Sequence, residues 1–330
     1  MRIAVTGSIA TDYLTTFTGR FADQLLPDQL AHVSLSFLVD DLRVRHGGTA
    51  ANIAYGLGTL GLDPLLLGAV GADFAPYRDR LEAHGVDTRH VRVSDHLGTA
   101  RFLCTTDLDQ NQIASFYAGA MTESALLDLA PLAASADRPG LVVVSAGDPA
   151  AMERHTVQCR ELGLPFAADP SQQLARLDGE QARGLVTGAR WLFTNAYEAA
   201  LLTEVTGWRR ADVLARVGTW VTTHGAAGVV IESAAGGRTA VPAVATASPA
   251  DPTGGGDAFR AGFLAATARG ADPTDAARLG CALATAALEA VGPQEYSVTP
   301  RELLSRIATA YGAAAARALS GALAVPAPAA

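Results

Sequence analysis

The chain has no lysine. All 25 of its Lys and Arg positions are arginine, and that absence removes several chemistries. A Walker A loop of the G-x-x-x-x-G-K-[ST] type, the phosphate-binding lysine of protein kinases, Schiff-base catalysis and a pyridoxal-phosphate anchor all need the ammonium group. A GC-rich genome produces the same bias toward Arg, Ala and Gly, so the absence excludes mechanisms without selecting one. Cysteine is scarce as well: Cys104, Cys159 and Cys281 stand far apart with no C-x-x-C, which reads as reduced, buried thiols. The seven histidines show no H-E-x-x-H or other metal spacing, and no G-x-S-x-G elbow occurs, so metal-hydrolase and serine-hydrolase readings have no support. Long apolar runs are missing too, since even the Ala-rich stretch 279–288 stops at Glu289, and no transmembrane helix is expected. The first residues meet Asp12 too soon for a secretory signal, so a cytoplasmic chain is expected.

What is present points to a compact metabolic protein. Hydrophobic residues make up 49% of the 330 and charged residues 18%, which excludes a disordered or fibrous chain. The net charge of −8 offers no basic surface to nucleic acid or to an anionic membrane. Length alone would allow two or three domains. No repeat and no clear linker breaks the sequence, so residues 1–330 read as one domain.

Aliphatic runs alternate with helical stretches along most of the chain: Arg2–Thr6, Leu65–Val70, Leu141–Ser145, Phe166–Asp169, Trp191–Asn195, Val221–Thr223 and Gly228–Glu232. Such alternation predicts an α/β fold, a mostly parallel sheet flanked by helices, whose ligands sit at the carboxyl ends of the strands. Two segments, about 12–46 and 98–117, break the pattern. They carry alternating runs such as Val33–Leu38 and Ala100–Thr105 with a turn at Asp107–Asn111, and they predict a small antiparallel sheet, either a lid over a pocket or an edge extension. Residues 313–330 are Ala- and Pro-rich and read as a last helix with a frayed tail.

The strongest local signal is Asp251-Pro252-Thr253-Gly254-Gly255-Gly256-Asp257 followed by helix-forming residues. Gly254, Gly255 and Gly256 let backbone N–H groups converge at a helix N-terminus, an anion site. Asp257 inside that turn makes sense if it takes a proton from a hydroxyl attacking a phosphoryl group held there. A second cluster is Gly47-Gly48-Thr49-Ala50-Ala51-Asn52-Ile53-Ala54, with Gly61 and Gly71 beyond it. A literal G-x-G-x-x-G also occurs at Gly56–Gly61, but it lies in or after a helical stretch and not at a strand-to-helix turn, which argues against a dinucleotide site.

The two glycine clusters, in this order and near this separation, resemble the two signatures of the PfkB, or ribokinase-like, carbohydrate kinases. The resemblance implies an ATP-dependent kinase with a ribokinase-like sheet and a small β-sheet lid, in which Asp257 is the base and Gly254–Gly256 the anion hole. Asn195-Ala196-Tyr197-Glu198 resembles the family's N-x-x-E motif, so Glu198 would help hold Mg²⁺, through water, and Asn195 would lie near the nucleotide. Thr223-His224-Gly225-Ala226-Ala227-Gly228 resembles the T-x-G-x-x-G loop, implying that Thr223, Gly225 and Gly228 approach ATP. Asp251 would lie near a monovalent cation, K⁺ among the candidates. On the acceptor side Ser8, Asp12, Gly48 and Asn52 would bind a sugar, Asp12 accepting from two neighbouring hydroxyls.

A narrower similarity runs from Met1 to beyond Gly292. Val33–Asp41, Gln112–Tyr117 and Phe166–Leu177 closely resemble segments of the ribokinase-like adenosine kinases of actinobacteria. That implies adenosine as acceptor, Phe102 and Phe116 sandwiching adenine, Gln172, Gln173 and Arg176 in the substrate pocket, and a homodimer through the lid sheet in which Ser36 completes the neighbour's pocket. Ribose, fructose and other nucleosides remain open as acceptors, because the two signatures are shared. A nucleoside-binding regulator without activity would keep Asp12 and Asn52 but should lose Asp257 or the glycines.

Overall fold

The computed structural model describes residues 1–25, 32, 35–246 and 248–323. Its main layer is a nine-stranded sheet. The strands, in the order they lie in it, are β13 (Arg238–Val241), β12 (Val229–Ser233), β11 (Thr219–Thr223), β10 (Trp191–Asn195), β9 (Phe166–Asp169), β8 (Leu141–Ser145), β1 (Ile3–Thr6), β4 (Leu65–Val70) and β5 (Val91–Val93). From β11 to β5 all neighbours pair in parallel, and only β12 and β13 at one edge run as antiparallel ribbons. Every residue of β1, β4, β8 and β9 is buried, as expected for parallel strands covered on both faces.

The period of two along each strand divides the core. Ile3, Val5, Leu141, Val143 and Phe193 face one layer, with helices α2 (Thr49–Thr59), α3 (Ala75–Ala83), α9 (Gly255–Ala268), α10 (Pro273–Leu288), α11 (Pro300–Tyr311) and α12 (Ala313–Leu323). Ala4, Val142, Val144, Leu192 and Trp220 face the other, with α4 (Ala130–Ala134), α5 (Pro149–Glu161), α6 (Gly179–Val186), α7 (Ala196–Thr206) and α8 (Arg210–Leu214). Leu319 and Leu323 bury α12 against the first layer, so the segment 313–323 is a packed helix. The expected frayed end, 324–330, lies outside the described residues. The three cysteines are buried and free.

The second layer is a separate four-stranded sheet, β3 (Asp41–Gly47), β2 (Ala10–Thr16), β6 (Ala100–Thr106) and β7 (Gln112–Tyr117), so it is not an edge extension of the main one. One sequence expectation fails here. Residues 33 and 34 lie outside the described residues, and 35–39 form no strand, so Val33–Leu38 is not the predicted strand and Ser36 does not stand on one. Asp41–Gly47 is instead the strand this segment supplies: it pairs along all seven residues of β2, whose other edge β6 takes. A short helix, α1 (Phe21–Gln24), also interrupts the segment.

Where α9 crosses α10 the backbones touch. A Cβ on Gly262 would stand 2.8 Å from Gly280 Cα, so the pair of glycines sets how close α9 lies and where its N-terminus ends. Gly262→Ala is therefore expected to destabilise by about 1–3 kcal/mol. Gly184→Ala in α6, where a Cβ meets nothing within 4 Å, should be neutral or stabilise by up to about 1 kcal/mol. Thermal unfolding of the two variants checks this, the first melting below the parent and the second not.

Candidate active site

The parallel strands end at one edge of the sheet, and α9 brings its N-terminus to the same edge. Gly254 caps that helix with φ of +78°, and a Cβ there would meet Pro293 Cβ at 2.4 Å, so both conformation and space demand glycine. Gly255 N–H closes a turn onto Pro252 O at 3.3 Å. The N–H groups of Gly256 and Asp257 belong to the first helical turn, whose donors find no intrahelical acceptor, so free donors and the positive end of the helix dipole meet at a point suited to negative charge. Asp251 fastens this loop: Oδ1 accepts from Thr253 N at 2.8 Å and Oδ2 from Gly292 N at 3.0 Å.

Asp257 sits in the third position of the helix, half-buried. Burial raises its proton affinity, the Arg260 guanidinium and a hydrogen bond from Asn52 Nδ2 (2.8 Å) lower it, and the Glu198 carboxylate raises it again. The balance lies on the raised side, which is the direction a general base needs. Arg260 is 6% exposed and pairs with Asp169 at 2.6 Å, at the end of β9. The surrounding carboxylates hold it protonated against burial. Burial pushes Asp169 up and the guanidinium pulls it back.

The register of the four-stranded sheet brings a second set of residues together. Arg45, Asp12, Phe102 and Phe116 stand opposite one another across β3, β2, β6 and β7, so all four share one face. Asp12, Phe102 and Phe116 on that face line a cavity of about 360 Å³ together with Ser8, Gly48, Asn52, Gln172, Gln173 and Arg176, a size within the range of small-molecule sites. Every acceptor residue the sequence suggested is thus brought together except Ser36, which is exposed and outside this cavity. Ser8 serves mainly to start α2, its Oγ accepting from Thr49 N at 2.9 Å. Gln173 donates its Nε2 to Gly147 O at 2.8 Å, which leaves its buried Oε1 without a partner among the described residues. The cavity ends at Thr253, next to Gly254.

At the other end of the sheet edge Asn195 and Thr223 are register neighbours on β10 and β11, and Gly225 and Gly228 form the turn after Thr223. Asn195 caps α7: Glu198 N donates to its Oδ1, while Asn195 N and Nδ2 donate to the two Glu198 oxygens, each at 2.8 Å. Glu198 is therefore engaged on both oxygens. Among the described residues no group of three or more His, Cys, Asp or Glu could cage a metal. A donor set this sparse fits Mg²⁺, which keeps its own waters and takes phosphate oxygens, and does not fit a metal held by side chains alone.

Sequence reasoning missed Arg260, Asp169, Tyr77 and Gln294. Only Arg260 carried a local signal, a charge one helical turn beyond Asp257 on an otherwise apolar helix.

The profile of the pfkB family of carbohydrate kinases matches residues 9–300, and the chain belongs to that family. The nucleoside kinase of Methanothermobacter thermautotrophicus is 32% identical to it over 293 residues, 86% of this chain and 92% of that protein. The structure of Burkholderia thailandensis nucleoside kinase in complex with inosine has a TM-score of 0.83 at 37% identity, covering 94% of this chain and 98% of that one. Methanocaldococcus jannaschii nucleoside kinase follows at a TM-score of 0.82 and 27% identity, over 93% and 98%. The fold is thus ribokinase-like, a mostly parallel sheet with helices on both faces and a small separate sheet, which is not wholly antiparallel as the sequence suggested, since its central pair β2–β6 runs parallel between two antiparallel pairs. Among the described residues no helix is long and apolar enough to cross a membrane.

Asp12 exacts a stability cost. Burial, helped by the charge of Asp251, pushes its carboxyl from 3.8 up to about 6. A carboxyl that binds protons more tightly folded than unfolded weakens the fold as pH rises from near 4 to near 6, and the loss persists above. Asp12→Asn is expected to recover about 1–3 kcal/mol at pH 7, a gain that shrinks as the pH is lowered toward 4. Unfolding midpoints measured across that range check both the sign and the window.

Proposed function

We propose that the protein is an ATP-dependent nucleoside kinase that phosphorylates the 5′-hydroxyl of adenosine, giving AMP and ADP. The observation that carries the reading is the continuity of the site. A cavity with a carboxylate and two aromatic rings on one wall runs to a helix N-terminus where a half-buried acid has raised proton affinity. Asp12 accepts from the ribose 2′ and 3′ hydroxyls, and the base lies along Phe102 and Phe116. Gln173, with one Nε2 proton committed to Gly147 and its buried Oε1 unpaired among the described residues, offers an acceptor, which suits an exocyclic amino group or a ring N–H. Asp257 takes the 5′-hydroxyl proton as the oxygen bonds to the γ-phosphorus and the bond to the bridging oxygen of ADP breaks. With no lysine available, the α9 N–H groups and dipole stabilise the charge on the transferring group. Asn195, Thr223, Gly225 and Gly228 bind ATP. Mg²⁺, held by the phosphates and through water by Glu198, neutralises phosphate charge when bound. A monovalent cation near Asp251 would stiffen the anion loop that this residue ties to Gly292.

The nucleoside kinase relatives and the inosine complex support a nucleoside acceptor over a free sugar. Inosine is a second reading on the same ground, since its N1–H would meet the Gln173 acceptor as well as an adenine amino group would. A silent nucleoside-binding regulator has less support, because Asp257 and the three glycines are all retained.

The same reading includes a homodimer. The lid row next to the site residues, Val44, Tyr13, Leu103 and Ser115, faces away from the cavity, as do Leu42 and Ile113 two rows further. Val44, Leu103, Ile113 and Leu42 are all exposed, an apolar patch that a second copy's lid would cover, with Ser36 reaching the partner's cavity.

ATP consumption over a panel of adenosine, inosine, other nucleosides, ribose and fructose tests the acceptor, and preference for a free sugar would overturn it. Asp257→Asn should lower kcat by roughly 10²–10⁴-fold while nucleoside binding survives, and near-normal kcat would remove the base assignment. Phe116→Ala should weaken adenosine use by roughly 5- to 150-fold, the worth of stacking one base on one ring. Any activity on ribose should fall much less, and equal losses would mean that the ring only packs the lid.

A further inference from the structure

Behind Asn52 lies a buried polar chain that neither glycine signature contains. Gln294, in the loop after α10, is 1% exposed. Its Nε2 donates to Asn52 Oδ1 at 2.9 Å and to Tyr77 Oη. The Tyr77 hydroxyl, also buried, donates to Gly47 O at 2.9 Å, and Asn52 Nδ2 donates to Asp257 Oδ2 at 2.8 Å.

Each direction in this chain follows from the one before it. The Gly47 carbonyl can only accept, so the single Tyr77 proton goes there. Tyr77 Oη then accepts, which requires the NH₂ end of Gln294 to face it. The second proton of that NH₂ is left for Asn52, so Asn52 must turn its oxygen to Gln294 and its own NH₂ to Asp257. A free asparagine amide would have two orientations of nearly equal shape, one of which sets an oxygen against the carboxylate.

We propose that Gln294, anchored through Tyr77 on Gly47, is a positioning residue that locks the Asn52 amide so that its N–H always faces Asp257. The inference rests on the reading of Asp257 as the base. The other charged or titratable groups around Asp257 are Arg260 on its own helix, Glu198 on α7, Asp169 on β9, and the phenols of Tyr77 and Tyr296. Of these only Tyr77 touches Gln294, and burial keeps its phenol neutral with or without that bond, so a change in the acid limb of kcat reports the amide.

Gln294→Met keeps the length and volume of the side chain and removes both donors. The acid limb of kcat should move up by about one pH unit, the size expected for one hydrogen bond to a charged group, so that kcat falls about tenfold on that limb and recovers above it. Reading kcat at saturating nucleoside keeps the Asp12 titration out of the result. Tyr77→Phe frees Gln294 from its anchor and should shift the limb in the same direction by less, which keeps the test open if the first variant folds poorly. In an Asn52→Ala background, Gln294→Met should add no further loss, because Gln294 acts through Asn52. An unmoved limb in both single variants, or a Gln294→Met loss that adds in full to that of Asn52→Ala, overturns the proposal. If Asp257→Asn is inactive while Gln294→Met behaves as the parent, this inference alone falls. An active Asp257→Asn removes the base reading on which it rests.

Discussion

The N-terminus of α9 has to hold several negative charges together where water reaches them poorly. Asp169 and Glu198 are buried there, Asp257 is half-buried, and Arg260 is the guanidinium set among them. Taking such groups out of water costs several kcal/mol per ion, offset only when geometry and further hydrogen bonds are good, and removing one partner of a buried pair typically costs about 3–5 kcal/mol. The offset comes from three directions: the Arg260–Asp169 ion pair, the helix N–H groups and dipole, and neutral amides such as Asn52. All three depend on where α9 lies, and the Gly262–Gly280 contact sets that. The site is therefore tied to helix packing two turns away from it.

The acceptor side repeats the pattern with a single carboxylate. Asp12 is pushed up to about 6, so at neutral pH it is ionised at the expense of the fold. A carboxylate that water solvates poorly gains most when two hydroxyls replace that water, because hydrogen bonds to a charge strengthen as the surroundings become less polar. Strain of this kind is tolerable in a chain whose nine-stranded sheet is covered on both faces. It is local, and the core that carries it is large.

Much of this was legible in the sequence. The seven aliphatic runs became strands, because a buried parallel strand needs nothing beyond a short apolar run and a turn. The anion loop was legible because glycine at a helix start is a local signal. What stayed hidden depends on contacts distant in sequence. Gln294 meets Asn52 across 242 positions and Tyr77 across 217, and no spacing rule links them. The Val33–Leu38 run looked like a strand because alternation is local, but pairing is not, and both edges of β2 went to Asp41–Gly47 and Ala100–Thr106. The sheet-edge ribbon β13 was missed for the opposite reason: Arg238–Val241 is mostly exposed and pairs only because β12 lies beside it.

The hidden contacts also join parts that the motifs treat as separate. β3 leaves the lid at Gly47, whose carbonyl begins the chain through Tyr77, Gln294 and Asn52 that ends on Asp257. The residue before Gly47 adds to the same anchor, since the His46 ring stacks on Tyr77 at 4.1 Å. The lid's exit strand and the acid at the anion loop are thus held by a neutral relay whose hydrogen-bond directions are all determined. A charged relay would have worked against the excess of carboxylates already buried around Arg260. A neutral one transmits orientation without adding charge, and this explains physically why amides and a phenol fill the space between the lid and α9.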